Sequence, residues 1–399
     1  MLNNKFTAYG IREIDLKISE DLNFIVSQLV GFLGKDNIQS IILTGSFAKG
    51  EGTAYIDNGK VKIVNDYDIT IVHYRSFLFK LRNKKKLGIL AESLANKINI
   101  KQIDFGLLSI NNINKVKETI SYNDFLFGHI LIYGDSPFDE SNKKNIFKFS
   151  LFEGSWLLRN RGVGLVLAGL YFIGKKNNNF VNKENLWIEC NKAKQAIGDS
   201  FLITKGLYHF SCKVRYERLK EIHEKENLPF FEWYSESINS KLVFNKNLYT
   251  KSLDDMIEEW FIIKKKYSLF FLNYEKSRLD DEFLDWNHYL KLNPTNINFF
   301  KMKFLYNFLF SSFKKNNLKL LSSNLNVDKI LSIGITGLLL DSITDRMNTN
   351  SNINLLTKKF KIRKNNSDGV YNWITIAKFY LLSIHPEGEA KKVAINEKL

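Results

Sequence analysis

The chain has 399 residues, 44% of them apolar, which is enough for two or three domains with a substantial core. Lys and Arg number 58 against 42 Asp and Glu, giving a formal net charge of +16 and excluding an acidic polypeptide. The excess favours polyanionic partners such as nucleotides, nucleic acid or anionic lipid. An AT-rich genome, which enriches Lys, Asn, Ile and Phe together, explains the same excess, and the even spread of charge favours this second explanation.

Cysteine content and apolar runs indicate the compartment. Cys190 and Cys212 provide neither a disulfide framework nor metal-ligand spacing, which fits a reducing cytoplasm. Residues 1–6 lack the apolar core of a secretory signal. The longest apolar run, residues 165–173, is much shorter than the roughly 20 residues that cross a bilayer. We therefore expect a cytoplasmic protein without a transmembrane segment.

The first third of the chain alternates helix and strand patterns. Apolar residues at helical spacing predict a helix over residues 19–33, ended by Gly34. Residues 38–44 are short, apolar and β-branched, which predicts a buried strand, and Gly45 and Ser46 follow it directly. Asn58-Gly59 between alternating residues predicts a hairpin. The patterns that follow predict a strand over residues 66–73 and a helix over residues 87–98. Two more strands are predicted over residues 102–107 and 130–133.

Strand patterns fade after the polar stretch 135–144, which predicts a linker. Ser252 and Asp255 form a capping box that opens a further helix. Helices are also predicted over residues 186–204, 297–313, 327–344 and 370–384, and loops over 348–354 and 364–369. We therefore predict an α+β fold in which a mixed-sheet domain, residues 1–140, precedes an all-helical C-terminal region divided into residues 141–292 and 293–399.

Acidic residues cluster in the predicted strands. Because side chains alternate along a strand, Asp66 and Asp68 project to the same side. Neighbouring carboxylates repel each other unless a cation neutralises them, and Mg²⁺ prefers such oxygen ligands. Asp104 lies on the next predicted strand and is a third candidate ligand. The alternative is a pair of edge-strand carboxylates with no metal.

Three short motifs in order carry a family resemblance: Leu43-Thr44-Gly45-Ser46-Phe47, then Asp66-Tyr67-Asp68-Ile69, then Asp104. Over about the first 135 residues the chain resembles the nucleotidyltransferase superfamily with a DNA-polymerase-beta-like palm. The resemblance implies a mixed-sheet palm followed by helices, and transfer of a nucleoside monophosphate from an NTP to an acceptor. Relatives modify RNA ends, proteins, antibiotics, other nucleotides and sugars, so the acceptor stays open among a glycan precursor, a small molecule, RNA and protein.

The resemblance also implies residue roles. Asp66 and Asp68 hold one Mg²⁺ that carries the nucleotide phosphates, and all three aspartates share a second ion that activates the attacking hydroxyl. Gly45 allows a sharp backbone turn, and Ser46 contacts the triphosphate. Lys49 is close enough in sequence to add positive charge.

One feature departs from the compact pattern of this superfamily. Ser46 and Asp66 are 20 positions apart. We expect the Asn58-Gly59 hairpin to account for the surplus without moving the strands, although such an insertion can reshape the substrate entrance.

The helical region supplies further candidates. In related enzymes a helix of the second domain often lends a Lys to the triphosphate, which implicates Lys194 as nucleotide-binding. Other polar residues of the same region are open alternatives, each of which is otherwise a solvated or salt-bridged side chain: Asp199, Tyr208, Tyr216, Arg218, Arg159 and Arg161.

Two rivals to an enzyme are left open by the sequence. One is a catalytically silent nucleotide-binding or interaction protein that retains the fold, which the presence of all three aspartates disfavours. The other is an RNA-binding protein that acts through its charge. Nucleic acid is compatible with the charge of +16 but is not required by it, because no RNA-binding module is recognisable.

Overall fold

A computed structural model of the protein describes residues 5–75, 77–113, 118–138, 148–174, 182–243, 251–292, 325–360 and 369–384. The fold is α+β, with a small mixed sheet and mostly helical content, as predicted. The chain divides into two compact units, and each unit is assembled from two separate stretches of sequence. The first comprises Met1–Ser150 and Lys205–Lys246, and the second comprises Leu151–Thr204 and Asn247–Leu399.

The elements of the N-terminal stretch are, in chain order, α1 (Arg12–Leu33), β1 (Ile38–Thr44), α2 (Gly45–Ala48), β2 (Ala54–Asp57), β3 (Lys60–Ile63), β4 (Tyr67–His73), α3 (Phe77–Ile98), β5 (Ile103–Ser109), α4 (Ile110–Ile113), α5 (Ile120–Phe127) and β6 (Ile130–Gly134). The remaining elements are helices: α6 (Leu151–Leu170), α7 (Lys183–Thr204), α8 (Cys212–Glu226), α9 (Phe231–Leu242), α10 (Leu253–Leu279), α11 (Trp286–Leu292), α12 (Leu325–Ser342), α13 (Asn352–Phe360) and α14 (Gly369–Ile384).

The main sheet of the first unit has four strands in the order β5-β4-β1-β6. Strands β4 and β5 are parallel, with Asp68 opposite Asp104. Strand β1 is antiparallel to both β4 and β6, and it places Thr44 opposite Asp68. The end of β1 therefore lies beside the beginning of β4, which in turn lies beside the beginning of β5.

Alternation along the strands gives this sheet two different faces. We call one the core face, because its side chains join the cluster formed by α1 and α3, to which Ile14, Leu22, Leu87 and Leu94 contribute. The strand residues of the core face are Ile41, Leu43, Tyr67, Ile69, Ile71, Ile103 and Leu107. We call the other the carboxylate face, because it bears Asp68 and Asp104. A smaller apolar cluster that includes Ile42, Val72, Leu126 and Phe138 covers part of this second face.

Local signals read from the sequence are confirmed at several turns. Gly34 ends α1 with a φ of 81°. Asn58 and Gly59, with φ of 51° and 70°, form the two-residue loop between β2 and β3, which pair as a separate two-stranded sheet. This hairpin accounts for the long interval between Ser46 and Asp66 and leaves the main sheet intact, as expected.

The described residues of the second unit form packed helices. The predicted capping box is present at the start of α10, where the side chains and backbone of Ser252 and Asp255 bond reciprocally. Large aromatic side chains fill the interior, and the buried indole of Trp260 donates to the Leu165 carbonyl at 3.1 Å. No helix within the described ranges is both long enough and apolar enough to cross a membrane.

Several predicted boundaries need correction. Helix α1 begins at residue 12 rather than 19, and α3 begins at residue 77 rather than 87. The loop predicted over residues 348–354 is wrong at its end, because α13 begins at Asn352 and buries Ile353 and Leu356. The helix predicted over 297–313 lies outside the described residues, as do most of the loop over 364–369 and most of the linker over 135–144. Gly369, the last residue of that loop, begins α14.

The two compact units are a different division of the chain from the three predicted domains, whose boundaries are at residues 140 and 292. Helices α8 and α9 belong to the first unit, although the sequence places them between helices of the second. Hydrogen bonds over a long sequence separation join α8 to the N-terminal stretch, because the Ser211 hydroxyl and the Cys212 amide donate to the Glu51 carboxylate. The three-domain division stays a prediction.

Candidate functional site

Three carboxylates meet where β4 and β5 begin. Asp66 immediately precedes β4, Asp68 is the second residue of β4, and Asp104 is the second residue of β5. One carboxylate oxygen from each residue lies within 4.8 Å of the other two. Asp66 and Asp104 are exposed, whereas Asp68 is half-buried. The structure thus brings together the three acidic residues singled out by the sequence, and we call them the acidic triad.

The core face fixes the direction of these side chains. Tyr67 stands between Asp66 and Asp68 and points to the opposite side, where it is fully buried. Its hydroxyl donates to Asp21 on α1 at 3.2 Å, and its ring packs against Phe47 at a centroid distance of 5.2 Å. Because Tyr67 is held in the core, its two acidic neighbours must project from the carboxylate face.

Gly45 brings the backbone after β1 into contact with Asp68. Its φ of 70° lies in the left-handed region, and a Cβ atom at this position would be 2.0 Å from the Asp68 Oδ2 atom. The Thr44 hydroxyl adds a second link by donating to the Asp68 carbonyl at 3.1 Å. Only glycine fits this turn without displacing the Asp68 carboxylate.

Ser46 follows directly at the start of α2 and is half-buried. Its carbonyl accepts hydrogen bonds from the amides of Lys49 at 3.2 Å and Glu51 at 2.9 Å, which fixes the turn. Within the described ranges its hydroxyl has no hydrogen-bond partner. The turn beside Asp68 therefore carries a hydroxyl group that is available to a ligand.

The acidic triad is electrostatically strained. The pKa of the Asp68 carboxyl is raised to about 7, first by its burial and then by the negative charges of Asp66 and Asp104, while Lys49 opposes the shift. A divalent cation would relieve this repulsion. Three carboxylate oxygens are also the donor set that hard ions such as Mg²⁺ and Mn²⁺ prefer, so the residues present fit such an ion.

Lys49 is held beside the acidic triad by an ion pair. Its ammonium group lies 2.7 Å from the Asp124 Oδ2 atom on α5. The Tyr208 hydroxyl donates to the same carboxylate at 3.3 Å. A Cβ atom at Gly128 would come within 2.9 Å of the Lys49 Cε atom, so the lysine stem lies directly on the backbone after α5. Lys49 is thus positioned by α5 and the backbone that follows it, while Tyr208 contacts the partner carboxylate of Asp124.

The residues that follow Lys49 are joined by hydrogen bonds to the start of α8. The buried Glu51 carboxylate accepts the Cys212 amide at 2.7 Å and the Ser211 hydroxyl at 2.6 Å, which caps the start of that helix. Burial works against ionisation of Glu51, but Lys241 and these hydrogen bonds outweigh it and hold the pKa below its ordinary value. Sequence reasoning missed both Glu51 and Asp124, since no local motif marks either residue.

The candidates in the second unit have partners there. Lys194 on α7 is buried, and its ammonium group lies 2.7 Å from Glu259 on α10. Lys251 pairs with the same carboxylate at 2.9 Å. Arg159 lies on α6 in a separate cluster of side chains. The nucleotide-binding role assigned to Lys194 stays a prediction.

No protein-family model, no curated protein and no solved structure matches the chain. A function is therefore inferred from the chemistry of the acidic triad and of the turn at Gly45.

Proposed function

We propose that the protein is a Mg²⁺-dependent nucleotidyltransferase, which moves a nucleoside monophosphate from an NTP to a hydroxyl or phosphate acceptor. The observation that carries this proposal is the meeting of Asp66, Asp68 and Asp104 directly beside the turn at Gly45. Carboxylates that hold divalent ions beside a phosphate-binding turn are what phosphoryl-transfer chemistry requires. The mixed sheet, in which β1 runs antiparallel to β4, supports the palm-like fold that belongs to the same proposal.

Each residue of the site has a role in this proposal. Asp66, Asp68 and Asp104 hold two divalent ions. When bound, such ions neutralise phosphate charge and make a hydroxyl a better nucleophile. The Ser46 hydroxyl binds a phosphate oxygen, and Lys49, kept beside the triad by Asp124, contributes a fixed positive charge. The half-buried position of Asp68 strengthens its interaction with a cation, because water screens it less than its exposed neighbours in the acidic triad.

Incubation with each labelled NTP and Mg²⁺, followed by detection of pyrophosphate and labelled product, tests the proposal. Acceptor pools enriched in RNA, protein, sugar phosphates or small alcohols distinguish the acceptor classes. The variant Asp66→Ala removes one exposed ligand, and Asp36→Asn, an exposed aspartate of the same unit, is the matched control. We expect product with the wild type and with Asp36→Asn, and none with Asp66→Ala.

Other results point elsewhere. Pyrophosphate release that is unchanged in Asp66→Ala contradicts the assignment of the acidic triad. Calorimetry that shows Mg²⁺-dependent NTP binding without any product indicates the alternative function, a nucleotide-binding protein without turnover. RNA binding that falls steeply with salt and persists when Asp68 is replaced indicates an RNA-binding protein.

A further inference from the structure

A second group of charged side chains surrounds the half-buried ring of Trp156 on α6, within the helical unit. The guanidinium carbon of Arg159 lies 4.7 Å from the centre of the indole. The ammonium nitrogen of Lys329 on α12 lies 5.3 Å from the same ring and 5.4 Å from that of Phe152. We call Trp156, Arg159 and Lys329 the cation cluster. Two positive charges thus share one aromatic side chain.

Hydrogen bonds hold Arg159 in place. Its Nε donates to the Ser332 hydroxyl at 2.6 Å, and its Nη1 donates to the side chain of Asn160 at 2.9 Å. Ser332 is itself bonded to the Tyr380 hydroxyl at 2.6 Å. Arg159 is only 4% exposed, so its guanidinium group is fixed and largely desolvated. Such an arginine binds an anion without a further loss of side-chain entropy.

The cation cluster carries positive charge that its described neighbours do not pair. Neither Arg159 nor Lys329 forms an ion pair within the described part of the chain. The neighbouring Arg278 differs, because it lies over Phe152 but is also paired with Glu275 at 3.0 and 2.6 Å. Burial of a cation without a counter-charge is unfavourable, and a cation–π contact offsets only part of that unfavourable energy. The remaining imbalance favours a bound anion.

We propose that Arg159 and Lys329 bind a phosphate-type oxyanion beside Trp156. Two positive charges that contact one ring match a dianion better than a single carboxylate does, and the planar donors of arginine suit the oxygen geometry of phosphate. Two hydrogen bonds occupy two of the five guanidinium N–H groups, which leaves donors for several phosphate oxygens. This site lies in the helical unit and does not rest on nucleotidyl transfer.

Calorimetric titration of the full chain with inorganic phosphate, pyrophosphate and glycerol 3-phosphate tests the proposal. EDTA and constant ionic strength exclude metal-mediated binding at the acidic triad, and a repeat in Asp68→Asn confirms that exclusion. We expect Lys329→Met to weaken binding about tenfold, the effect of one charge-assisted hydrogen bond. The matched control is Lys265→Met, because Lys265 is an exposed lysine on α10 of the same unit. It is expected to leave the affinity unchanged.

Arg159 is tested by Arg159→Lys, which keeps the buried charge but loses the planar group. We expect a loss of affinity at least as large as that of Lys329→Met, with an unchanged circular dichroism spectrum. The proposal is overturned if none of the three anions binds at millimolar concentration. It is also overturned if Lys265→Met lowers affinity as much as Lys329→Met, since the binding is then nonspecific charge attraction. Full affinity in folded Arg159→Lys overturns the role of Arg159 itself.

Discussion

The core face and the carboxylate face of the sheet are built from alternating residues of the same two strands, yet one stabilises the fold and the other destabilises it. On the core face, Tyr67, Ile69 and Ile71 are at most 1% exposed and pack against α1 and α3. On the carboxylate face, Asp68 and Asp104 bring together charges that repel each other. A shift of one residue would exchange the two faces, so burial of the core face determines where the carboxylates point.

The comparison teaches that residues that stabilise the fold and residues that carry the candidate chemistry alternate along the same strands. They do not lie in separate parts of the unit. The core face contributes apolar burial, at about 1.5–3 kcal/mol for each large aliphatic side chain. The carboxylate face opposes folding, because it raises the pKa of Asp68 to about 7. A local loss of folding stability of this kind is typical of a functional site.

The sharpest test of the comparison is Asp68→Asn, which removes one charge and keeps the size of the side chain beside Gly45. Loss of an outer partner of a metal ligand already costs about 10- to 100-fold in affinity, so loss of this ligand is expected to cost about a thousandfold in Mn²⁺ binding. Titration monitored by electron paramagnetic resonance measures the change. Binding that stays within threefold of the wild type would remove Asp68 from the site.

Ile71→Ala on the core face is expected to lower the stability of the protein and to leave its Mn²⁺ affinity unchanged. Ile71 is fully buried, and its truncation leaves a cavity, so we expect about 3 kcal/mol less stability in urea denaturation. Mn²⁺ affinity of the folded variant should equal that of the wild type. An affinity change as large as that of Asp68→Asn would show that the two faces are not independent.

Much of this arrangement is readable from sequence because its signals are local. A short, apolar, β-branched run predicts β1, and Asn58-Gly59 predicts the hairpin. Alternation of side chains along β4 predicts that Asp66 and Asp68 project together. These patterns depend on residues within one element. The meeting of Asp104 with Asp66 and Asp68 was expected only from the family resemblance. The parallel register that sets Asp104 opposite Asp68 was not predicted.

The contacts that the sequence does not reveal join residues far apart in the chain. Lys49 is paired with Asp124, 75 residues later, and Glu51 caps α8 through Cys212, 161 residues later. Neither pair has a spacing or composition that distinguishes it from solvated charges. For the same reason the membership of α8 and α9 in the first unit was not predicted. Packing over such separations is decided by the whole fold.

Gly45→Ala tests the contact between the turn and the carboxylate face. The added Cβ meets the Asp68 Oδ2 atom at 2.0 Å, and the φ of 70° disfavours any residue with a Cβ. We expect Mn²⁺ affinity to fall about tenfold, since a carboxylate displaced by a fraction of an ångström coordinates poorly. Gly59→Ala is the control, because its φ is also 70° but no atom lies near its Cβ position. Equal losses in both variants would indicate backbone strain alone.

The energetic cost of the carboxylate face is measurable without metal. The folded pKa of Asp68, about 7, lies above the ordinary value near 3.9, so the wild type loses stability as pH rises between these values. Asp68→Asn lacks this loss. In EDTA at pH 8 we expect the variant to be more stable by about 1 kcal/mol, a discounted value because water screens the half-buried group. Equal stability of both proteins at pH 5 and pH 8 would contradict the repulsion.

The smallest effect is expected at the exposed edge of the acidic triad. The Gln102 side-chain amide donates to the Asp104 Oδ1 atom at 2.7 Å and orients that carboxylate. Because both side chains are exposed, water replaces much of this hydrogen bond, and Gln102→Leu should weaken Mn²⁺ binding only about twofold. A tenfold loss would mean that Asp104 depends on this single bond for its orientation. The carboxylate face would then be organised by contacts at its rim as well as by the buried residues behind it.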